Sequence, residues 1–286
     1  MKVTEERSTS SNEVLAAAHP WVRRLLRLGF VARGALYSSI GLLTLWSIVR
    51  SGERAHGGVK TTFTSIQSLA PGLVLLAGLA AGFAGFAIGM IWTAIFDWNF
   101  EGRKPAGLVR RAGSVVIGLV HLSLAASTLL LAAGHQPQDH GTRRWTELAL
   151  SYPFGRQGVA IGGLYAIGYG IFLLAKVFTG KLDPLLDLTS LSPAGARAVN
   201  WIGRFGMFSR GVIYVTIGVI LAFAGWRGDA SNVVGIGGAM RKVSEEAYGV
   251  ASLAVVASGL FAYGLFMFAE ARYRRMGQSR SAIVAR

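Results

Sequence analysis

Long apolar stretches alternate with short polar segments along the whole chain. Six of these stretches have the roughly 20 mostly apolar residues that a helix needs to cross the hydrocarbon core of a membrane. They cover residues 28–49, 73–96, 112–133, 157–178, 205–226 and 250–269. None of them alternates strictly between apolar and polar positions, as a barrel strand would, so the pattern predicts six transmembrane helices.

The first two stretches and the last two are copies of one another. The pattern R-x-G-x-x-x-R-G-x-x-Y-x-x-I-G begins at Arg27 and again at Arg204. The middle pair is a more diverged copy, in which Ile117 stands in the place of Arg33. Each copy is a helix, an outer loop and a helix, which returns the chain to its starting side, so the copies run parallel. We therefore predict an all-α transmembrane fold of six helices, built as three parallel two-helix repeats with a pseudo-threefold axis along the membrane normal.

These boundaries divide the chain into one membrane domain with two tails. We predict a polar, disordered cytoplasmic tail at 1–20, repeats at 21–104, 105–196 and 197–275, and a basic cytoplasmic tail at 276–286. Each outer loop ends in a segment suited to a short amphipathic helix that lies on the membrane. These segments are residues 61–69, 146–152 and 238–247.

Composition and charge agree with a membrane location. The chain is 52% hydrophobic and 15% charged, carries a net charge of +15, and has no Cys, which excludes disulfides and cysteine-ligated metals. With the N-terminus in the cytoplasm, the cytoplasmic segments hold 17 Lys and Arg residues and the outer segments nine. We therefore predict a multi-pass protein of the inner (plasma) membrane with both termini cytoplasmic. Its basic segments lie beside the anionic cytoplasmic leaflet, and we expect no nucleic-acid partner.

Two arginines inside the predicted spans are the first candidates for a functional site. Arg33 and Arg210 lie about five residues inside the cytoplasmic ends of their spans, roughly 7–8 Å deep. From there a long side chain either snorkels to the headgroups or faces the bundle interior, where it meets an acid or an anionic substrate. Arg33 shares one helix face with Tyr37 and Gly41, which favours the interior.

Aromatic residues at equivalent positions of the repeats predict two polar layers near the bilayer midplane. Buried polar groups there need partners, either as interhelical hydrogen bonds that fix packing or as a substrate or proton site in which a histidine titrates. The first layer holds Tyr37, His121 and Tyr214, and the second holds Tyr169 and Tyr263 with Phe86.

Charged residues recur at the cytoplasmic ends of the second helices. Thr93, Lys176 and Glu270 occupy equivalent positions, and Lys176 can pair with Glu270, or Glu270 with Arg210. A ring of charged residues at one end of a bundle resembles a transporter gate. The alternative is ordinary interfacial anchoring.

No sequence motif indicates an enzyme. The chain lacks H-E-x-x-H, G-x-S-x-G and an acidic pair within a span. We expect no catalytic residue, bound metal or cofactor. Two functions remain open: a channel or transporter for a small solute, and a non-catalytic scaffold that binds a membrane protein partner.

The chain resembles a bacterial membrane family known as domain of unknown function 1206. The resemblance rests on three two-helix units, each of which opens with R-x-G-x-x-x-R-G-x-x-Y or its diverged form. The resemblance covers residues 21–275. The middle unit departs from it at Ile117 and His121, and the first unit at Ala70-Pro71-Gly72. The resemblance implies this three-repeat architecture and implies no biochemical activity.

Overall fold

A computed structural model describes residues 2–51, 59–97, 105–135, 141–179, 186–245 and 249–274. These residues form nine α-helices, numbered here in chain order. They are α1 (Lys2–Ser51), α2 (Val59–Gln67), α3 (Gly72–Ile95), α4 (Pro105–Ala132), α5 (Gly141–Leu150), α6 (Gly155–Thr179), α7 (Pro193–Arg227), α8 (Ile236–Glu245) and α9 (Gly249–Tyr273).

Six of these helices are long and apolar enough to cross a membrane, and they contain the six predicted spans almost entirely. The all-α prediction is therefore confirmed. Helix α1 also continues through the polar segment from Lys2, for which the sequence predicts disorder; Glu, Ala and Leu in that segment are good helix formers. The predicted tail at 276–286 lies outside the described residues, and the domain boundaries stay predictions.

Local sequence signals explain where the 35-residue helix α7 begins and ends. Before α7, the Ser192 hydroxyl accepts a 3.2 Å hydrogen bond from the Gly195 amide, and Pro193 occupies the first turn. After α7, Gly228 adopts a φ of 72°, which a residue without Cβ does at little cost. Its amide donates a 2.8 Å hydrogen bond to the Ala224 carbonyl, which ends the helix.

The six long helices pack in the spatial order α6, α7, α9, α1, α3, α4. In this order, the first helix of each repeat packs against the second helix of another repeat: α1 against α9, α4 against α3, and α7 against α6. Within the described residues, α4 and α6, the two long helices of the middle repeat, share no packed interface. The ring is therefore open on one side, and the pseudo-threefold axis stays a prediction.

Each of the three interfaces between repeats, called seams here, is built on the same close approach of backbones. In each seam, a glycine of the first helix faces a carbonyl oxygen of the neighbouring second helix. This glycine directly follows the repeated arginine or, in the middle repeat, Ile117. A Cβ added at this glycine would lie 3.0–3.1 Å from that oxygen, closer than ordinary contact. Small residues allow helices in a membrane to approach in this way. The three pairs are Gly34 with Gly264, Gly118 with Ala87, and Gly211 with Gly170.

The three short helices fall at the predicted outer-loop positions, but two of them do more than lie on a surface. Phe63 of α2 and both Ala239 and Met240 of α8 are almost fully buried against the long helices. Their apolar faces meet the bundle core because burial there removes more apolar surface from water than an interfacial position would. Helices α2 and α8 therefore cover the end of the core that is predicted to face outward.

Candidate functional site

The two predicted aromatic layers form a single layer of pairs, one pair at each seam. In every pair, a residue of a first helix packs against a residue of the neighbouring second helix, with ring centroids 4.6–5.1 Å apart. The two tyrosine pairs are edge-to-face, at 85° and 88°, which is a favoured geometry for aromatic rings. The pairs are Tyr37 with Tyr263, Tyr214 with Tyr169, and His121 with Phe86.

Arg210 lies in the middle of this aromatic layer. Its side chain is buried, with 7% exposure, and donates hydrogen bonds to the hydroxyls of Tyr263 at 2.5 Å and Tyr214 at 2.9 Å. The guanidinium also lies 4.4–5.8 Å from the ring centroids of Tyr37, Tyr214 and Tyr263, within the range of cation–π attraction. Three tyrosines from three helices therefore surround one arginine.

Arg33 approaches the same group from the neighbouring repeat. Its Nη2 donates a 3.3 Å hydrogen bond to the Tyr263 hydroxyl, and its guanidinium lies 5.0 Å from the ring centroid of Phe86. The Tyr263 hydroxyl thus accepts hydrogen bonds from two arginines of different repeats. We call Arg33, Arg210 and Tyr263 the arginine cluster.

The arginine cluster lies far from the ends of the long helices that form it. Tyr263 is ten residues from the end of α9, about 15 Å along the helix axis, which is half the hydrocarbon thickness. The helices continue beyond the predicted spans on that side, where α7 begins at Pro193. The depth of roughly 7–8 Å within the membrane stays a prediction. Arg210 is bonded inside the bundle, so snorkelling does not describe it.

Neither arginine of the cluster has a carboxylate partner among the described residues. Glu270, an acid that the sequence suggested for Arg210, instead forms a 2.7 Å ion pair with Arg274 one turn further along α9. Lys176 lies in the last turn of α6, and Thr93 is buried with its hydroxyl bonded to the Met90 carbonyl. The cytoplasmic charge ring stays a prediction.

His121 is buried beside the cluster and has a local partner. Its Nδ1 lies 2.7 Å from the Ile117 carbonyl oxygen, one turn earlier in α4, and its ring packs against Phe86 and Phe83. This backbone bond satisfies one ring nitrogen, as a buried polar group requires. This contact is a packing role for Nδ1, and it does not occupy the other ring nitrogen, Nε2.

A small cavity adjoins Arg210 on the side of the arginine cluster toward α8. Its volume is about 70 Å³, several times the ~10–15 Å³ that one water molecule needs. Helices α1, α7, α8 and α9 all contribute to its wall, and Ile236 is the contribution of α8. The lining residues are Tyr37, Arg210, Ile213, Tyr214, Ile217, Ile236 and Leu260.

A larger cleft of about 140 Å³ lies at the C-terminal end of α7, where the predicted span ends. Its lining includes Arg227, Asp229 and Lys242. Hydrogen bonds from the hydroxyl and the backbone amide of Ser231 hold the pKa of the Asp229 carboxyl below its ordinary value. This cleft shares none of its lining residues with the cavity beside Arg210.

Sequence reasoning found the residues of the layer but missed how they are grouped. Tyr169 and Tyr263 were placed in a separate layer, because repeat alignment shows equivalence along the chain and not pairing across a seam. Ile236 was missed because it lies in an outer loop. The amphipathic pattern of residues 238–247 was the signal that could have brought α8 into the site.

Comparison with known proteins agrees with the repeat structure. The family model described as Domain of Unknown Function (DUF1206) matches residues 28–97, 112–180 and 205–274, one segment for each repeat. "Uncharacterized protein YxxB" of Bacillus subtilis (strain 168) is 26% identical over 262 residues, which cover 90% of this chain and 93% of that protein. No solved structure matches the chain. The three matched segments together cover well over half of the chain, which therefore belongs to the DUF1206 family.

Proposed function

We propose that this protein is a channel or transporter for a small solute in the plasma (inner) membrane, with both termini in the cytoplasm. The observation that carries the proposal is the arginine cluster, which places two guanidinium groups around one hydroxyl deep inside the bundle. A charged side chain in a membrane span is costly, and where it is retained it commonly marks a pathway or a binding site.

The packing of the bundle does not need this charge. All three seams are built on close backbone approaches at small residues, and α4 packs against α3 with Ile117 in place of an arginine of its own. A scaffold could therefore use the same seams with an apolar residue in place of Arg210. Retaining one buried and one half-buried arginine is better explained by a solute that they contact.

The alternative is a scaffold that binds a membrane protein partner. The open side between α4 and α6 favours it, because this is where the ring of helices lacks a packed interface. Exposed apolar residues line both helices there, as they do on the lipid-facing sides of the others, so the surface by itself does not identify a partner.

The test is an osmotic assay on proteoliposomes made from wild-type protein, Arg210→Gln and Arg27→Gln. Arg27 is exposed on α1 and lies outside the aromatic layer, so its variant is the matched loss of one positive charge. Stopped-flow light scattering follows reswelling in glycerol, urea, and the potassium salts of chloride and gluconate with valinomycin. We expect faster reswelling for at least one solute with wild type and Arg27→Gln than with Arg210→Gln. Rates equal to those of empty liposomes for every solute would overturn the proposal and favour the scaffold.

A further inference from the structure

We propose that the cavity beside Arg210 binds a small monovalent inorganic anion, of the size of chloride or bromide. The proposal deepens the proposed function, since it names the chemical class of the solute at that site. The binding site itself does not depend on passage across the membrane, so the two can fail separately.

The first argument is the balance of charge. Arg33 and Arg210 bring two positive charges to one buried hydroxyl, and among the described residues no carboxylate pairs with either of them. Tyrosine hydroxyls and aromatic rings solvate a cation but leave its charge uncompensated. In a region of low dielectric constant that excess positive charge favours an anion strongly.

The second argument is the supply of hydrogen-bond donors. A guanidinium has five N–H groups, and Arg210 uses two nitrogens for the hydroxyls of Tyr263 and Tyr214. Its buried Nε has no acceptor in the described part of the chain. The Tyr214 hydroxyl accepts from Arg210, so its own proton is free to be donated. Arg210, Tyr214 and Tyr37 all line the cavity and provide donors without a competing carboxylate.

The third argument is the size and the character of the remaining wall. The cavity holds about 70 Å³, and apart from Arg210 and the two tyrosines it is lined by Ile213, Ile217, Ile236 and Leu260. The cost of removing an ion from water grows with the square of its charge. Four aliphatic side chains cannot replace the hydration of sulfate or hydrogen phosphate. A singly charged, weakly hydrated anion meets the donors at one end and tolerates the apolar wall at the other.

Binding is tested first, without any membrane. Purified protein in an uncharged detergent is unfolded by heat at constant ionic strength and pH, and intrinsic fluorescence of its 7 Trp residues reports the midpoint. Sodium gluconate is replaced stepwise by sodium chloride, sodium bromide or sodium sulfate. We expect chloride and bromide to raise the midpoint with saturation, as a ligand that binds only the folded state does. Sulfate that acts as strongly as chloride, or a rise that never saturates, would overturn the proposal.

Three variants locate the site. Arg210→Gln removes the charge, and we expect it to weaken chloride binding by roughly tenfold or more, the loss of a hydrogen bond to a charged group. Ile217→Phe fills the cavity and leaves every charge in place, so it tests the site even where Arg210→Gln fails to fold. Arg27→Gln is the matched control and should bind as wild type does. Equal weakening in Arg27→Gln, or full binding in Ile217→Phe, would overturn the site.

The same proteoliposomes separate this proposal from the proposed function. Saturable chloride binding without flux of any solute would keep the anion site and overturn transport. Flux of glycerol or urea without chloride binding would keep transport and overturn the anion site. Chloride binding together with reswelling in potassium chloride, and not in potassium gluconate, would support both.

Discussion

Arg33 and Arg210 come from different repeats and donate hydrogen bonds to the same oxygen, the hydroxyl of Tyr263. The sequence alignment makes the two arginines equivalent, yet their surroundings differ. Arg210 is buried among three tyrosines, whereas Arg33 is half-buried and meets the phenyl ring of Phe86. One hydroxyl thus joins two repeats inside the bundle.

Removing the Tyr263 hydroxyl should therefore destabilise the bundle. Tyr263→Phe leaves the buried guanidinium of Arg210 and the half-buried one of Arg33 without their shared acceptor, which we expect to lower the free energy of unfolding by about 1–3 kcal/mol. The measurement is denaturation in mixed micelles followed by circular dichroism. Tyr165→Phe is the matched control, because Tyr165 is on an exposed face of α6. Equal stability of both variants would show that the shared hydroxyl contributes nothing.

Adjacent glycines of α6 should respond in opposite ways to the same substitution. A Cβ at Gly163 would meet the backbone nitrogen of Ala222 in α7, whereas a Cβ at Gly162 meets no other atom within 4 Å. We expect Gly163→Ala to lower the free energy of unfolding by about 1–3 kcal/mol, because the seam must separate. Gly162→Ala should raise it by up to about 1 kcal/mol through helix propensity. A similar loss in both variants would contradict the packing of this seam.

The sequence predicts features that depend on residues close together in the chain better than features that depend on distant residues. Helices and repeats follow from patterns within one segment, and the predicted spans and the family were confirmed. The pairing of Tyr37 with Tyr263 could not be predicted, because these residues are far apart in the chain and their contact depends on which helices become neighbours. The opening between α4 and α6 depends on the same packing.

The orientation predicted from the basic residues is tested by chemical labelling. The chain has no Cys, so a single introduced cysteine is the sole thiol. Ser190 and Ser231 are both exposed and lie on opposite sides of the predicted membrane region. We expect a membrane-impermeant maleimide to label Ser231→Cys in intact cells and Ser190→Cys only after lysis, because the side richer in Lys and Arg faces the cytoplasm. The reverse pattern would overturn the orientation.

The open side of the ring is tested by distances between spin labels at equivalent positions of two repeats. Leu130 of α4 and Gly158 of α6 correspond to Trp46 of α1 and Leu75 of α3, and none of these positions is buried. Because α1 packs against α3 and α4 does not pack against α6, the 130–158 distance should be the longer one. The measurement is pulsed electron paramagnetic resonance on the two double-cysteine variants in lipid. Equal distances would mean that the middle repeat is closed.

We expect the missing arginine of the middle repeat to contribute to its opening. In the first and third repeats, the arginine of the first helix meets an aromatic ring of the second helix in the same repeat, Phe86 for Arg33 and Tyr263 for Arg210. In the middle repeat the equivalent residue is Ile117, which is exposed, and the equivalent ring is Tyr169.

Ile117→Arg should therefore draw α4 toward α6 and shorten the 130–158 distance toward that of the 46–75 pair. A guanidinium at this position can bind the hydroxyl and the ring face of Tyr169, which isoleucine cannot. A guanidinium that faced lipid instead would cost several kcal/mol. Ile117→Met keeps the side chain apolar and long, so its distance should stay that of the parent. A distance that Ile117→Arg leaves unchanged would mean that the opening is set by the α3–α4 and α6–α7 seams, whose close backbone contacts would then hold α4 and α6 apart.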